Sequence, residues 1–247
     1  MTDLIHYEFP LTKPFRLFSR FEQLMAQFDA YVQQDSQPDT LAAVMTLSDI
    51  YQLTMHVDLK SEVLRESERQ ANVLGARGLP EDELSVFTEC QEIANEMTGQ
   101  LGSHLKNHYL FNLIRQRLAM PGGINPFDLP VTHYWFNQPY DDRQRVLLRW
   151  LLPYFQINKA ITKLLDKIRD IGEPQSHIAK QGYFQTNLPP SNNYQLLQIH
   201  VPARLKSYPE ISCGRQRISL RFFDLQDPSQ RAGQTGEDIE FSLCFCG

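Results

Sequence analysis

Ile168-Arg169-Asp170-Ile171-Gly172-Glu173-Pro174 is the point at which this chain changes its periodicity. Upstream, apolar residues recur every three or four positions, the spacing of one helical face. Downstream they alternate with polar residues, the spacing of a half-buried strand. Gly172 and Pro174 end the last helix, because proline lacks the amide donor and glycine favours a stop. The reading is an α+β chain. A multi-helix bundle occupies residues 11–173, and a smaller, mostly antiparallel β domain occupies residues 178–247, joined by an N-terminal strand near residues 4–9.

Working back from that point, Pro153 starts a helix whose stripe is Ile157, Ile161, Leu164, Leu165 and Ile168, and Asp141 to Leu152 forms the helix before it. A fifth helix runs from after Gly102 to Met120, where Pro121-Gly122-Gly123 stops it. Acidic Glu81, Asp82 and Glu83 open a fourth, as the macrodipole prefers. A third runs from about Asp58 to Leu74, and Pro38-Asp39 begins a second. In the first, Pro14 takes a first-turn position and Phe18, Phe21, Met25, Phe28 and Val32 define the apolar face.

Forward from Gly172, Leu197, Ile199 and Val201 alternate with Leu196, Gln198 and His200, and Ile239 to Cys246 alternates in the same way. The strand from Arg215 to Phe223 carries the most information. Ile218, Leu220 and Phe222 point one way, and Arg215, Arg217, Ser219 and Arg221 point the other. Alternate residues repeat every ~6.6 to 7 Å, so the guanidiniums form a ladder suited to carboxylates or phosphates. Cross-strand pairing with acids such as Glu240 is the structural alternative.

The bulk properties limit what such a ladder serves. The chain has 247 residues, a net charge of −5 and 42% hydrophobic composition. A dedicated nucleic-acid domain carries a basic excess, so an anion-binding surface here is a local patch. Residues Met1 to Pro14 contain no apolar signal core, and no run approaches a membrane span of roughly 20 residues. Cys90, Cys213, Cys244 and Cys246 are too dispersed for a metal knuckle and read as reduced packing cysteines, with Cys244 and Cys246 on one strand face. His104 and His108 have chelating spacing, but no third ligand accompanies them, and a structural or surface role is preferred to a metal. Neither cofactor nor metal is expected. No G-x-S-x-G, phosphate-binding loop or dinucleotide fingerprint is present, so no catalytic residue is assigned and an enzyme is not expected.

Other cations break local rules. Arg16 and Arg20 lie one turn apart, about 40° around the axis, near a helix N-terminus where the dipole disfavours them. A binding role and plain solvation both remain open. Arg117 follows Leu110, Leu113 and Ile114 on the apolar side, with Asp128 as its nearest partner in sequence. Arg115, about 200° away, is expected to be the exposed one. Cations complementing the end of the helix dipole are the alternative for both. His133, beside Tyr134 and Trp135, reads alone as a half-buried core histidine, or else as the polar edge of an aromatic pocket.

Taken together, Tyr7-Glu8-Phe9-Pro10-Leu11 with Arg16 and Arg20, Leu113-Ile114-Arg115-Gln116-Arg117-Leu118, Pro121-Gly122-Gly123, and Phe127-Asp128-Leu129-Pro130 through His133 and Trp135 resemble the ZapD family of Z-ring-associated division proteins. Gly182-Tyr183-Phe184-Gln185, Tyr208-Pro209-Glu210-Ile211-Ser212 and the Arg217-x-x-x-Arg221-Phe222 strand extend the likeness over nearly the whole chain. The resemblance implies a cytoplasmic, non-enzymatic homodimer at the division site. It implies binding of the C-terminal tail of FtsZ through a basic pocket, and bundling of FtsZ filaments. Carried over by position, the pocket residues are Arg16, Arg20, Arg115, Arg117, His133, Arg217 and Arg221. Tyr109 departs from the pattern, standing where some relatives carry an arginine. Tyr134 and Trp135 are expected to line an apolar slot. The rival reading is an anion-binding module for nucleic acid or another acidic partner; net charge speaks against nucleic acid, and neither nucleic acid nor membrane is an expected partner.

Overall fold

The computed structural model describes residues 3–188, 194–214 and 216–247. Arg215 and most of the linker after Asn187 lie outside the described residues. The fold is α+β, helices first and antiparallel strands after. The chain forms two compact units, residues 17–164 and residues 1–16 with 165–247.

The helical unit begins within α1 (Lys13–Val32), whose Phe18, Phe21, Met25, Phe28 and Val32 are all buried. Ser36 caps α2 (Gln37–His56) by accepting from the Asp39 amide at 3.1 Å, and Asp58 caps α3 (Leu59–Ala76) through Ser61. Such caps satisfy amides that the first turn leaves without partners. α4 (Glu81–Glu96) follows.

The next helix is shorter than its sequence suggests. Gly102, at φ +80°, leads into a 3-10 turn at Ser103–Leu105, and α5 covers only Tyr109–Leu118, with His108 as its cap. The break is stabilised by the Asn112 amide, which donates to the carbonyls of Leu105 at 2.9 Å and Lys106 at 3.0 Å. A further short helix, α6 (Pro130–Phe136), is absent from the periodicity reading. Gly122 and Gly123, both at positive φ, make the turn that precedes it. Then come α7 (Tyr140–Leu151), a 3-10 turn at Leu152–Tyr154, and α8 (Phe155–Asp170).

Arg143 of α7 is 4% exposed, and the sequence reading gave it no role. Its guanidinium donates to the carbonyls of Gln138 at 3.1 Å and Asp35 at 2.6 Å, to Thr40 Oγ1, and to the Asp35 carboxylate at 3.0 Å. It thereby pins the α1–α2 and α6–α7 connections to one helix.

The β unit contains two antiparallel sheets. One has the order β1 (Leu4–Pro10), β4 (Leu196–Pro202), β8 (Ile239–Cys246), β2 (Gln175–Ala179). The other has the order β3 (Tyr183–Asn187), β6 (Arg217–Asp224), β5 (Ser207–Cys213), with the short β7 (Gly233–Gln234) also on β6. Both contribute to one apolar core that includes Leu197, Ile199, Val201, Ile218, Leu220, Phe222, Phe241 and Leu243. The chain passes from one sheet to the other through Gln181-Gly182, both at positive φ. A Cβ at Gly182 would stand 2.8 Å from the Thr235 carbonyl, so only glycine fits. At the end of α8, Arg169 grips Glu8 of β1 in a two-pronged pair at 2.8 and 3.1 Å.

Candidate cationic binding surfaces

In the β unit, alternation along β6 does what the sequence predicts for the described residues. Ile218, Leu220 and Phe222 are buried, whereas Arg217 and Arg221 are exposed. Four residues apart on a strand, the two arginines stand about 13 Å apart along it. Arg221 lies between Tyr183 and Glu210 in register, Ser219 between Gln185 and Ser212, and Arg217 opposite Asn187. The resulting polar face holds a shallow depression of about 870 Å³, lined by Tyr183, Gln185, Asn187, Ser212, Arg217 and Ser219. Glu240, the acid weighed as the ladder's partner, is not on a neighbouring strand. It sits in β8 of the other sheet, opposite Ile178 and 3.7 Å from Arg204. The acid beside the ladder is Glu210.

Arg16 belongs to the same unit. Its Nε donates to the Pro10 carbonyl at 3.1 Å, and the guanidinium lies over the Phe9 ring at 5.6 Å. Its charge also acts on Cys213, at the end of β5: burial raises that thiol's pKa, and Arg16 pulls it partly back. Cys213 pairs with Ile218, the neighbour of Arg217. The β unit therefore brings Arg16 toward the Arg217 end of the ladder.

In the helical unit, Arg20 is exposed on α1 and donates to Gln23 at 3.2 Å along its own helix. Arg117 approaches Asp128 at 3.7 Å, the partner proposed from spacing. Asp128 also accepts from Asn125 at 3.3 Å and lies just before α6, which carries His133.

Arg115 departs from expectation. Instead of standing on an open polar flank, it lies over the ring of Tyr51 at 5.3 Å, and its Nε is buried without a hydrogen-bond partner. Its Nη2 donates to Asn112 Oδ1 at 3.4 Å. The roles assigned to the two arginines are thus altered: Arg117 is paired, as expected, but Arg115 is partly enclosed. The cause is a partner on α2, Tyr51, that helical spacing alone does not reveal.

His133 is exposed, not a core histidine, with Asn137 Nδ2 at 3.4 Å from its Nδ1. Trp135 is the core residue of that cluster, 8% exposed and packed on Phe136 and Trp150 at 5.1 and 5.7 Å. It does not line a slot. Tyr134, the other ring expected to line it, does reach the surface at 69% exposed, and so does Phe127, 81% exposed, which the sequence reading did not place in the slot.

His104 and His108 both serve Trp150. His104 Nε2 lies 2.8 Å from its carbonyl, and His108 Nε2 accepts from its indole N–H at 3.1 Å. Among the described residues no group of three or more His, Cys, Asp or Glu is placed to hold a metal ion, and no helix is long and apolar enough to cross a membrane. Cys244 and Cys246 do share one strand face, with their sulfurs 3.5 Å apart in the core.

The comparisons with known proteins point to one family. The ZapD family model, described as a cell division protein, matches residues 19–221. The chain is similar to Cell division protein ZapD of Methylococcus capsulatus, at 34% identity covering 100% of this chain and 99% of that protein. It is similar to the protein of the same name from Nitrosomonas eutropha, at 30% identity with 98% and 99% covered. The relative from Chromobacterium violaceum matches at 30% identity with the same shares, 98% and 99%.

Proposed function

This chain belongs to the ZapD family of cell division proteins and has a role in cell division, and from that premise we propose that it binds the C-terminal tail of FtsZ and, as a homodimer, bundles FtsZ filaments at the division site. It acts in the cytoplasm and without catalysis.

The observation that carries this reading is the open face of β3–β6–β5. In a chain of net charge −5, Arg217 and Arg221 stand exposed on a polar sheet face that holds a depression of about 870 Å³. Arginine at that spacing takes carboxylates in forked hydrogen bonds. The helical unit supplies a second set, Arg20, Arg115, Arg117 and His133, together with the exposed rings of Phe127 and Tyr134. An acidic tail with an apolar anchor is the chemistry that both kinds of group accept.

Ordering a disordered tail consumes part of the contact energy, so single-site affinity is modest. Two sites on a dimer then hold a filament through effective concentration. Sedimentation with FtsZ filaments tests the reading. Charge reversal at Arg20 or Arg221, or removal of the FtsZ tail, abolishes co-pelleting and bundling while the dimer persists. Undiminished bundling in those samples refutes it.

A further inference from the structure

We infer that Tyr51 is the positioning residue for Arg115, holding its guanidinium so that a ligand carboxylate is received end-on by the two terminal nitrogens. The inference rests on the tail-binding reading above.

Three observations within the helical unit carry it. The first is the stacking: the guanidinium carbon lies 5.3 Å from the Tyr51 ring centroid. The ring face is the negative end of its quadrupole and attracts a cation placed over it. The second is the state of the donors. Arg115 Nε is buried and has no hydrogen-bond partner among the described residues, and Nη2 has only the long 3.4 Å bond to Asn112. A sealed Nε rules out the side-on fork that uses Nε and Nη2, so the end-on pair is the geometry left to a carboxylate. The third is the rigidity of the platform. Tyr51 is 7% exposed, meets Phe111 edge-to-face at 5.5 Å, and leaves little room beside Gly102, where a Cβ would lie 3.1 Å from the ring. Gly102 is also at φ +80°, so the backbone and the tight approach both favour glycine.

A ring fixed in this way selects one arrangement of a long, flexible side chain before any ligand arrives. That lowers the ordering cost at binding, which is how preorganised groups gain affinity. It also makes lysine a poor substitute at position 115, since an ammonium lacks the second terminal nitrogen.

The test separates ring electronics from ring shape. Position 51 of the full chain is filled with phenylalanine and then with phenylalanines bearing one, two and three ring fluorines, which withdraw π density with little change in volume. Affinity is measured for the FtsZ tail peptide by fluorescence anisotropy, with Arg115→Ala measured alongside. Expected are an unchanged affinity for Tyr51→Phe and a stepwise loss with fluorine number, reaching about fivefold. In the Arg115→Ala background the fluorine series becomes flat, because the two side chains act as one unit. A flat series with Arg115 present, while Arg115→Ala still weakens binding, overturns the positioning role alone. Arg115→Ala binding as the parent does overturns the involvement of Arg115 in tail binding, and this inference with it.

Discussion

Arg221 stands directly opposite Glu210 across the β5–β6 ladder, and both side chains are exposed. An opposite-charge pair at this position contributes roughly 0.2–1 kcal/mol and competes with any incoming carboxylate. Glu210→Gln is therefore expected to tighten binding of an acidic tail by about twofold to fivefold. Arg221→Glu places two acids face to face and removes binding. Anisotropy titrations at two salt concentrations check this, since exposed charge effects shrink on screening. Equal affinity of Glu210→Gln and the parent protein would exclude Arg221 from the contact.

That relationship also marks where the sequence was legible. β6 could be read because Ile218, Leu220 and Phe222 alternate cleanly with polar residues, and all three are buried. β5 could not, because Pro209 interrupts it and it lies at a sheet edge, where proline is tolerated and one-sided patterning fades. Without β5 the sequence does not show Glu210 as the ladder's neighbour, and alternation offers Glu240 instead. In the helical unit, spacing paired Arg117 with Asp128 because the two are close in sequence. Arg115 was misplaced because its partner, Tyr51, is on α2, and no local periodicity reports a contact between distant helices. His133 and Trp135 exchanged their expected environments for a similar reason. The short α6 directs alternate faces inward, and its seven residues are too few to set a detectable period.

The buried Arg143 yields a stability prediction independent of any partner. Its donors satisfy the carbonyls of Gln138 and Asp35 and the hydroxyl of Thr40. Arg143→Met keeps the aliphatic stem but leaves those acceptors unmet, at a cost of about 2–4 kcal/mol. Urea unfolding followed by circular dichroism is expected to show a lowered midpoint with an unchanged slope. A midpoint within experimental error of the parent would mean that water replaces the guanidinium without loss.

Gly172 gives the corresponding prediction for the β unit. A Cβ there would collide with Cys244 Sγ and stand 2.8 Å from Cys246 Sγ and 3.1 Å from the Phe245 carbonyl. Overpacking of this kind costs typically 1–3 kcal/mol. Gly172→Ala is thus expected to lower the melting temperature, and Cys244→Ala in the same chain to restore part of it by making room. Additive losses in the double variant would show that the two sites are not in contact.

The last prediction concerns pH. Burial, and then the charge of His104, hold the His108 pKa below its ordinary value of 6.5; burial and His6 do the same to His200. In the unfolded chain both regain the ordinary value, so between the lowered folded values and about 6.5 the unfolded state binds more protons. Stability then rises with pH in that window. The contribution is present above about 6.5 and is lost as pH falls through the folded values. The structural reason at His108 is plain, since a proton on Nε2 would face the indole N–H of Trp150 that it now accepts at 3.1 Å. The carboxylates whose pKa values are lowered lose their contribution only below their ordinary values, 3.8 for Asp58, Asp227 and Asp238 and 4.5 for Glu89. Measurements between pH 5 and 8 therefore isolate the histidines. Urea midpoints are expected to be level from about pH 8 to 7 and to fall toward pH 5. His108→Asn, which places a favoured N-cap residue at the start of α5 and cannot titrate, is expected to be less stable at pH 8 and to show a shallower fall. An equally steep fall in that variant would assign the pH dependence to other groups.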